Sequence, residues 1–113
     1  MNVPDSVSTA LADRNVAGRV CLEAGAGVGN ATAGLLDAGA DHVYAVTDRA
    51  DHAEDVRERF EGDERVNLIE ADLRKLPLAD DAVEVVTAHA LFNVLPVDAA
   101  APIAAELSRV SAP

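Results

Sequence analysis

The stretch Val20-Cys21-Leu22-Glu23-Ala24-Gly25-Ala26-Gly27-Val28-Gly29 constrains the fold of this chain more than any other. Its apolar start, Val20-Cys21-Leu22, reads as a buried strand that ends in the acid Glu23 and runs on through alternate glycines. Beyond them Val28, Ala31, Leu35 and Ala38 recur at helical spacing, which predicts a helix over 28–38 stopped by Gly39. A strand, a glycine turn and a helix in that order bring a helix N-terminus and bare backbone N–H groups to one place. Glycine permits both the positive φ of such a turn and the close approach of a ligand. The helix N-terminus favours negative charge. The loop is therefore expected to hold part of a small molecule against backbone.

Which molecule depends on spacing. A dinucleotide fold wants G-x-G-x-x-G, whose third glycine lets helix and strand pack closely; here the corresponding positions are Asn30 and Thr32. The next segment, His42–Thr47, alternates and is rich in β-branched residues, so it reads as a second strand ending at Asp48. An acid there can accept both hydroxyls of a ribose, a device shared by several adenosine ligands. A helix over Asp51–Glu61 follows, with Ala53, Val56 and Phe60 as its buried stripe and Asp51 with Glu54 as an N-terminal cap pair. Val66–Glu70 reads as a third strand. Pro77 breaks helix and sheet, so 72–81 is a loop and 82–88 a fourth buried strand. A last helix carries Ile103, Leu107 and Val110 on one face, and Val3–Arg14 reads as a short helix before the first strand.

These residues resemble the class I S-adenosylmethionine-dependent methyltransferases. Glu23–Gly29 matches that family's E-x-G-x-G-x-G. The run from Asp72 through Leu76-Pro77-Leu78 and Asp80 to Val86 is similar to its D-x-x-x-L-P-[FL]-x-D-x-x-[FV]-D-x-[VI]. Val83 and Glu84 depart from the usual Phe and Asp. Glu106-Leu107-Ser108-Arg109-Val110 resembles the E-x-x-R-V that precedes the family's fifth strand. The resemblance covers residues 16–113 and implies a three-layer, Rossmann-like α/β fold. The family's sheet has order 3-2-1-4-5-7-6, and this chain is expected to supply a truncated parallel sheet of four strands, order 3-2-1-4. It is expected to be one domain over 1–113, the cofactor half of a longer protein, ending before the fifth strand. S-adenosylmethionine is the implied cofactor. Glu23 would lie near the amino group of its methionine part, with Gly25, Ala26, Gly27 and Gly29 as the cradle. Asp48 would lie at the ribose, Asp72 at the adenine amino group and Leu73 backbone at the adenine edge, with Arg49 beside Asp48 and Ala88 at the end of the fourth strand as further cofactor contacts. His89 is the candidate base and Asn93 a candidate acceptor contact. The implied reaction is methyl transfer to an unidentified acceptor, expected to be a small molecule. An NAD(P)-dependent oxidoreductase and a non-catalytic nucleotide-binding or scaffold module remain the alternatives.

Charge bears on partners. The chain has 20 acidic residues against 9 basic ones, a formal net charge of −11, and Lys75 is its only lysine. Scarce lysine, many acids, abundant alanine and few aromatics resemble proteins of salt-accumulating halophiles. No basic stripe exists to follow phosphates, so nucleic acid is not expected as a partner. No apolar stretch of spanning length and no leader pattern is present, so a membrane is not expected either and a cytoplasmic location is. Cys21 reads as a small core residue, and no His/Cys/carboxylate set has metal-ligand spacing, so no metal is expected. Val83, Val85 and Val86 make the fourth strand apolar on both faces, with no lysine or proline to blunt its outer edge. A homodimer through that edge is the expected assembly, the alternative being a helix or terminal segment that covers the edge and leaves a monomer.

Overall fold

The computed structural model describes residues 16–26, 29–88 and 97–112. Within them the chain runs β1 (Val20–Ala24), α1 (Asn30–Asp37), β2 (His42–Thr47), α2 (Ala50–Arg59), β3 (Val66–Glu70), β4 (Val85–Thr87) and α3 (Val97–Val110). The four strands form one parallel sheet in the expected order, β3-β2-β1-β4. Parallel neighbours need long crossovers, and here the crossovers carry the helices to the two faces.

Burial follows from that layering. Cys21, Leu22, Glu23 and Ala24 are all 1% exposed or less, as expected of a central strand covered on both faces. On one face Cys21 and Val43 pack against Ala31 and Leu35 of α1, while Ala45 meets Ala33, Val56 and Phe60. On the other, Leu22, Ala24 and Val46 pack against Ile103, Leu107 and Val110 of α3, together with Leu73, Leu76 and Val83. The expected stripes of α2 and α3 are therefore the buried ones. At the end of α1, Gly39 takes φ +93, with its N–H on Leu36 O and that of Ala40 on Leu35 O. These are the two bonds of a Schellman close, which a left-handed residue makes possible.

Three local expectations are corrected. The helix after the glycine loop spans Asn30–Asp37, with Gly29 as its N-cap. The cap pair of α2 does not form, because Asp51 lies inside the first turn and its carboxylate is held by Arg49 (2.7 and 3.1 Å). Glu54 is likewise held by Arg57 at 2.8 Å. The fourth strand is Val85–Thr87, shorter than 82–88, because Val83 turns to a different neighbour. Asp81 N–H donates to Arg109 O, Val83 N–H to Val110 O, and Ala112 N–H to Val83 O (3.0, 3.0 and 2.7 Å). Val83 and Ser111 thus form a parallel bridge, and the outer edge is covered at that end by the chain's own residues 109–112. The expected N-terminal helix, Val3–Arg14, lies outside the described residues.

Candidate cofactor site

Parallel strands deliver their following loops to one end of the sheet. The registers Ala24↔Val46, Thr47↔Glu70 and Glu23↔Thr87 place the ends of all four strands side by side. Of the sequence-derived residues, Glu23, Gly25, Ala26, Gly29, Asp48, Arg49, Asp72, Leu73 and Ala88 emerge at that end. Gly27, His89 and Asn93 lie outside the described residues.

The glycine loop is fastened from both sides. The N–H groups of Gly25 and Ala26 both donate to Val46 O, at 2.9 and 2.8 Å, which pins the turn to the end of β2. Gly29 holds φ +94, a conformation costly for residues with a Cβ. A Cβ at that position would also lie 2.7 Å from Cε2 of Phe60. Arg59 adds a second tie, donating from Nη1 to Asn30 Oδ1 at 2.9 Å while its guanidinium carbon lies 5.6 Å from the Phe60 ring centre. The close of α2 therefore holds the start of α1. Sequence reading placed Phe60 only in the core stripe of α2 and gave Arg59 no part in the loop. Their role depends on how two helices far apart in sequence come together.

Glu23 is the buried acid of the site, 1% exposed, and Thr87 of β4 shares a hydrogen bond with its Oε2. Burial pushes its carboxyl up to about 8, against a smaller lowering by Thr87. Thr87 was not singled out from sequence, although an acid inside a fully buried strand needs a polar neighbour on an adjacent one. One strand over, Asp48 is exposed and has no hydrogen-bond partner among the described residues. Beyond β3 the side chain of Asp72 is held by Arg74 (2.6–3.1 Å) and by the Arg74 N–H (2.8 Å), which keeps its carboxyl down at about 2. The next side chain, Leu73, is buried and anchors this loop in the core.

The rest of that loop is tied to α3. Glu106 Oε2 accepts from Leu76 N–H at 2.5 Å, and Arg109 donates to Glu106, to Asp80 at 2.7 Å and to Leu76 O at 3.2 Å. The Arg109 guanidinium, with the Leu76 N–H, holds the Glu106 carboxyl down at about 2. A groove of about 650 Å³ lies apart from all this, between α2 and the start of β3, lined by Val56, Phe60, Val66 and Leu68 under an acidic rim. Phe60 alone is shared with the supports of the glycine loop, and none of the sequence-derived site residues lines it. Among the described residues no group of His, Cys, Asp and Glu could hold a metal, and no helix is long and apolar enough to cross a membrane.

The site thus offers a buried carboxyl for a cationic group, an exposed carboxylate for vicinal hydroxyls, and an acceptor beside a fixed loop for a base with an exocyclic amine. Those residues fit S-adenosylmethionine. A parallel sheet ordered 3-2-1-4 with such loops is a Rossmann-like arrangement. The chain belongs to the methyltransferase domain family, whose model matches residues 21–113. Over 81 residues it is 40% identical to a demethylmenaquinone methyltransferase of Clavibacter sepedonicus, covering 72% of this chain and 33% of that protein. A S-adenosylmethionine-dependent methyltransferase from Aquifex aeolicus superposes with a TM-score of 0.80 at 20% identity, over 95% of this chain and 58% of that one. Phosphoethanolamine N-methyltransferase 1 of Haemonchus contortus, in complex with phosphoethanolamine and S-adenosylhomocysteine, gives 0.81 at 17% identity, over 96% of this chain and 23% of that one. The chain spans about a third of the curated relative.

Proposed function

We propose that this chain binds S-adenosylmethionine at the C-terminal end of its sheet and forms the cofactor half of a methyltransferase with a small-molecule acceptor. One observation carries the reading: Glu23, Asp48 and the Asp72–Leu73 loop are delivered together by adjacent parallel strands. Asp48 would accept the ribose hydroxyls, Asp72 the adenine amino group, and the glycine loop would hold the methionine part. The bound sulfonium supplies the activated methyl group. This chain's residues supply orientation, and positioning alone is worth much of the rate in a displacement between two bound partners. Calorimetry with S-adenosylmethionine, S-adenosylhomocysteine and NAD tests it. Binding of the first two and not of NAD is the expected result, whereas tighter binding of NAD overturns the reading. The 40% identical relative, named for demethylmenaquinone, supports a small organic acceptor. A methylation assay with a quinone of that class would examine it.

Three finer readings belong with this one. The net charge of −11 supports adaptation to high salt, since crowded carboxylates repel until screened. A melting temperature that climbs with potassium chloride to molar levels is expected; a flat series refutes it. We also infer a cytoplasmic location, with fractionation as the check. Val85 and Thr87 lie on β4 beyond the bridge at Val83, and we infer that two copies pair there. Sedimentation that finds a monomer at all concentrations would exclude it.

A further inference from the structure

Thr87 connects two acceptors and has one proton to give. Its Oγ shares a hydrogen bond with Glu23 Oε2 and reaches Leu22 O at 3.5 Å, the long limit for such a bond. A carboxylate at Glu23 would claim the Thr87 proton and find no other side-chain donor among the described residues. A carboxylic acid instead donates to Thr87 Oγ, which passes its own proton on to Leu22 O, and all three groups are satisfied. The surroundings favour that second arrangement. Glu23 is 1% exposed, and its registered neighbours are Ala45 and Thr87. The titratable groups on the elements packed around it are Cys21 of β1, His42 and Tyr44 of β2, Asp37 at the far end of α1, and Glu84 just before β4. None of them contributes to the carboxyl's raised value of about 8; burial does.

We propose that Glu23 and Thr87 form a proton-coupled receptor for the cofactor's α-ammonium, Thr87 being a positioning residue that the glycine motif does not include. This rests on the cofactor reading above. In the free protein Glu23 keeps its proton and Thr87 points its hydroxyl at Leu22 O. When the ammonium arrives, Glu23 releases the proton to solvent, a carboxylate–ammonium pair forms, and Thr87 reverses to donate to the carboxylate. No covalent bond changes, and the charge balances: one cation is bound and one proton leaves.

Calorimetry of S-adenosylhomocysteine binding at pH 7, in buffers of different ionisation enthalpy, reads the released proton directly. The expected result is close to one proton per cofactor at pH 7, falling as pH rises through 8 and turning to net uptake once the free cofactor's own amine is deprotonated, with Kd rising about tenfold per pH unit below 7. Methylthioadenosine, which lacks the α-amino group, should bind with no release. Glu23→Gln should abolish release. Thr87→Val should weaken S-adenosylhomocysteine several-fold more than methylthioadenosine, with Thr87→Ser restoring wild-type behaviour. If S-adenosylhomocysteine binds with the same heat in every buffer, the receptor is refuted and the cofactor reading stands. If neither S-adenosyl compound binds, both fall. The wild-type measurement decides even where a variant fails to fold.

Discussion

Gly29→Ala separates backbone strain from packing at the glycine loop. The residue sits at φ +94, where an L side chain costs about 1–2 kcal/mol. The new methyl would also lie 2.7 Å from Cε2 of Phe60 and 3.5 Å from Cδ of Arg59. Phe60 cannot simply swing away, because it is 7% exposed and packed with Ala26, Ala33, Ala45 and Val56. Overpacking of that kind costs about 1–3 kcal/mol. The substitution should therefore destabilise by roughly 2–5 kcal/mol in all. Phe60→Leu shortens the opposing side chain, so it should remove the packing part and leave the backbone part. In a double-mutant cycle the second substitution should recover roughly 1–3 kcal/mol of the cost of the first. Urea unfolding followed by circular dichroism, in the salt that best stabilises the protein, measures each corner. A cost below about 0.5 kcal/mol for Gly29→Ala would refute both parts. A cost unchanged by Phe60→Leu would refute the contact with Phe60 and leave strain as the whole effect.

Other outcomes follow from the same contacts. Asp48→Ala should weaken S-adenosylhomocysteine by about 1–3 kcal/mol in calorimetry, through lost hydroxyl acceptors. Arg109→Met removes the bonds to Asp80, Glu106 and Leu76 O and should lower the urea midpoint, with faster amide exchange at Leu76. Arg109→Lys should recover only part, because an ammonium cannot reproduce the guanidinium fork. Stability should have two pH limbs. Glu23 holds a proton in the folded state up to about 8 that the unfolded chain has lost by about 4.5, so its contribution declines as pH rises across that window and is flat above it. Asp72 and Glu106, held at about 2, act in the opposite sense: their contribution is complete above ordinary carboxylate values and is lost as pH falls towards 2. Glu23→Gln should flatten the first limb and leave the second, as read from melts across pH 2–9.

Much of the fold was legible in local pattern. The bounds of β2 and β3 follow from alternation and β-branched residues, the stop of α1 from Gly39, and the buried stripe of α2 from Ala53, Val56 and Phe60. The sheet order and the cluster of loops came through the family resemblance, and they hold because parallel crossovers leave few arrangements. Tertiary structure alone decided the rest. Glu23 meets Thr87 across 64 positions of sequence, and Arg59 meets Asn30 across 29, as Arg109 meets Asp80. Val83 leaves the fourth strand because residues 109–112 reach its outer edge. Periodicity records which face of its own element a residue lies on. The partner across that face depends on strand register and helix packing, which come from the balance of the whole core. A lone acid in a buried strand therefore signals from sequence that a partner must exist, and only the folded chain names it.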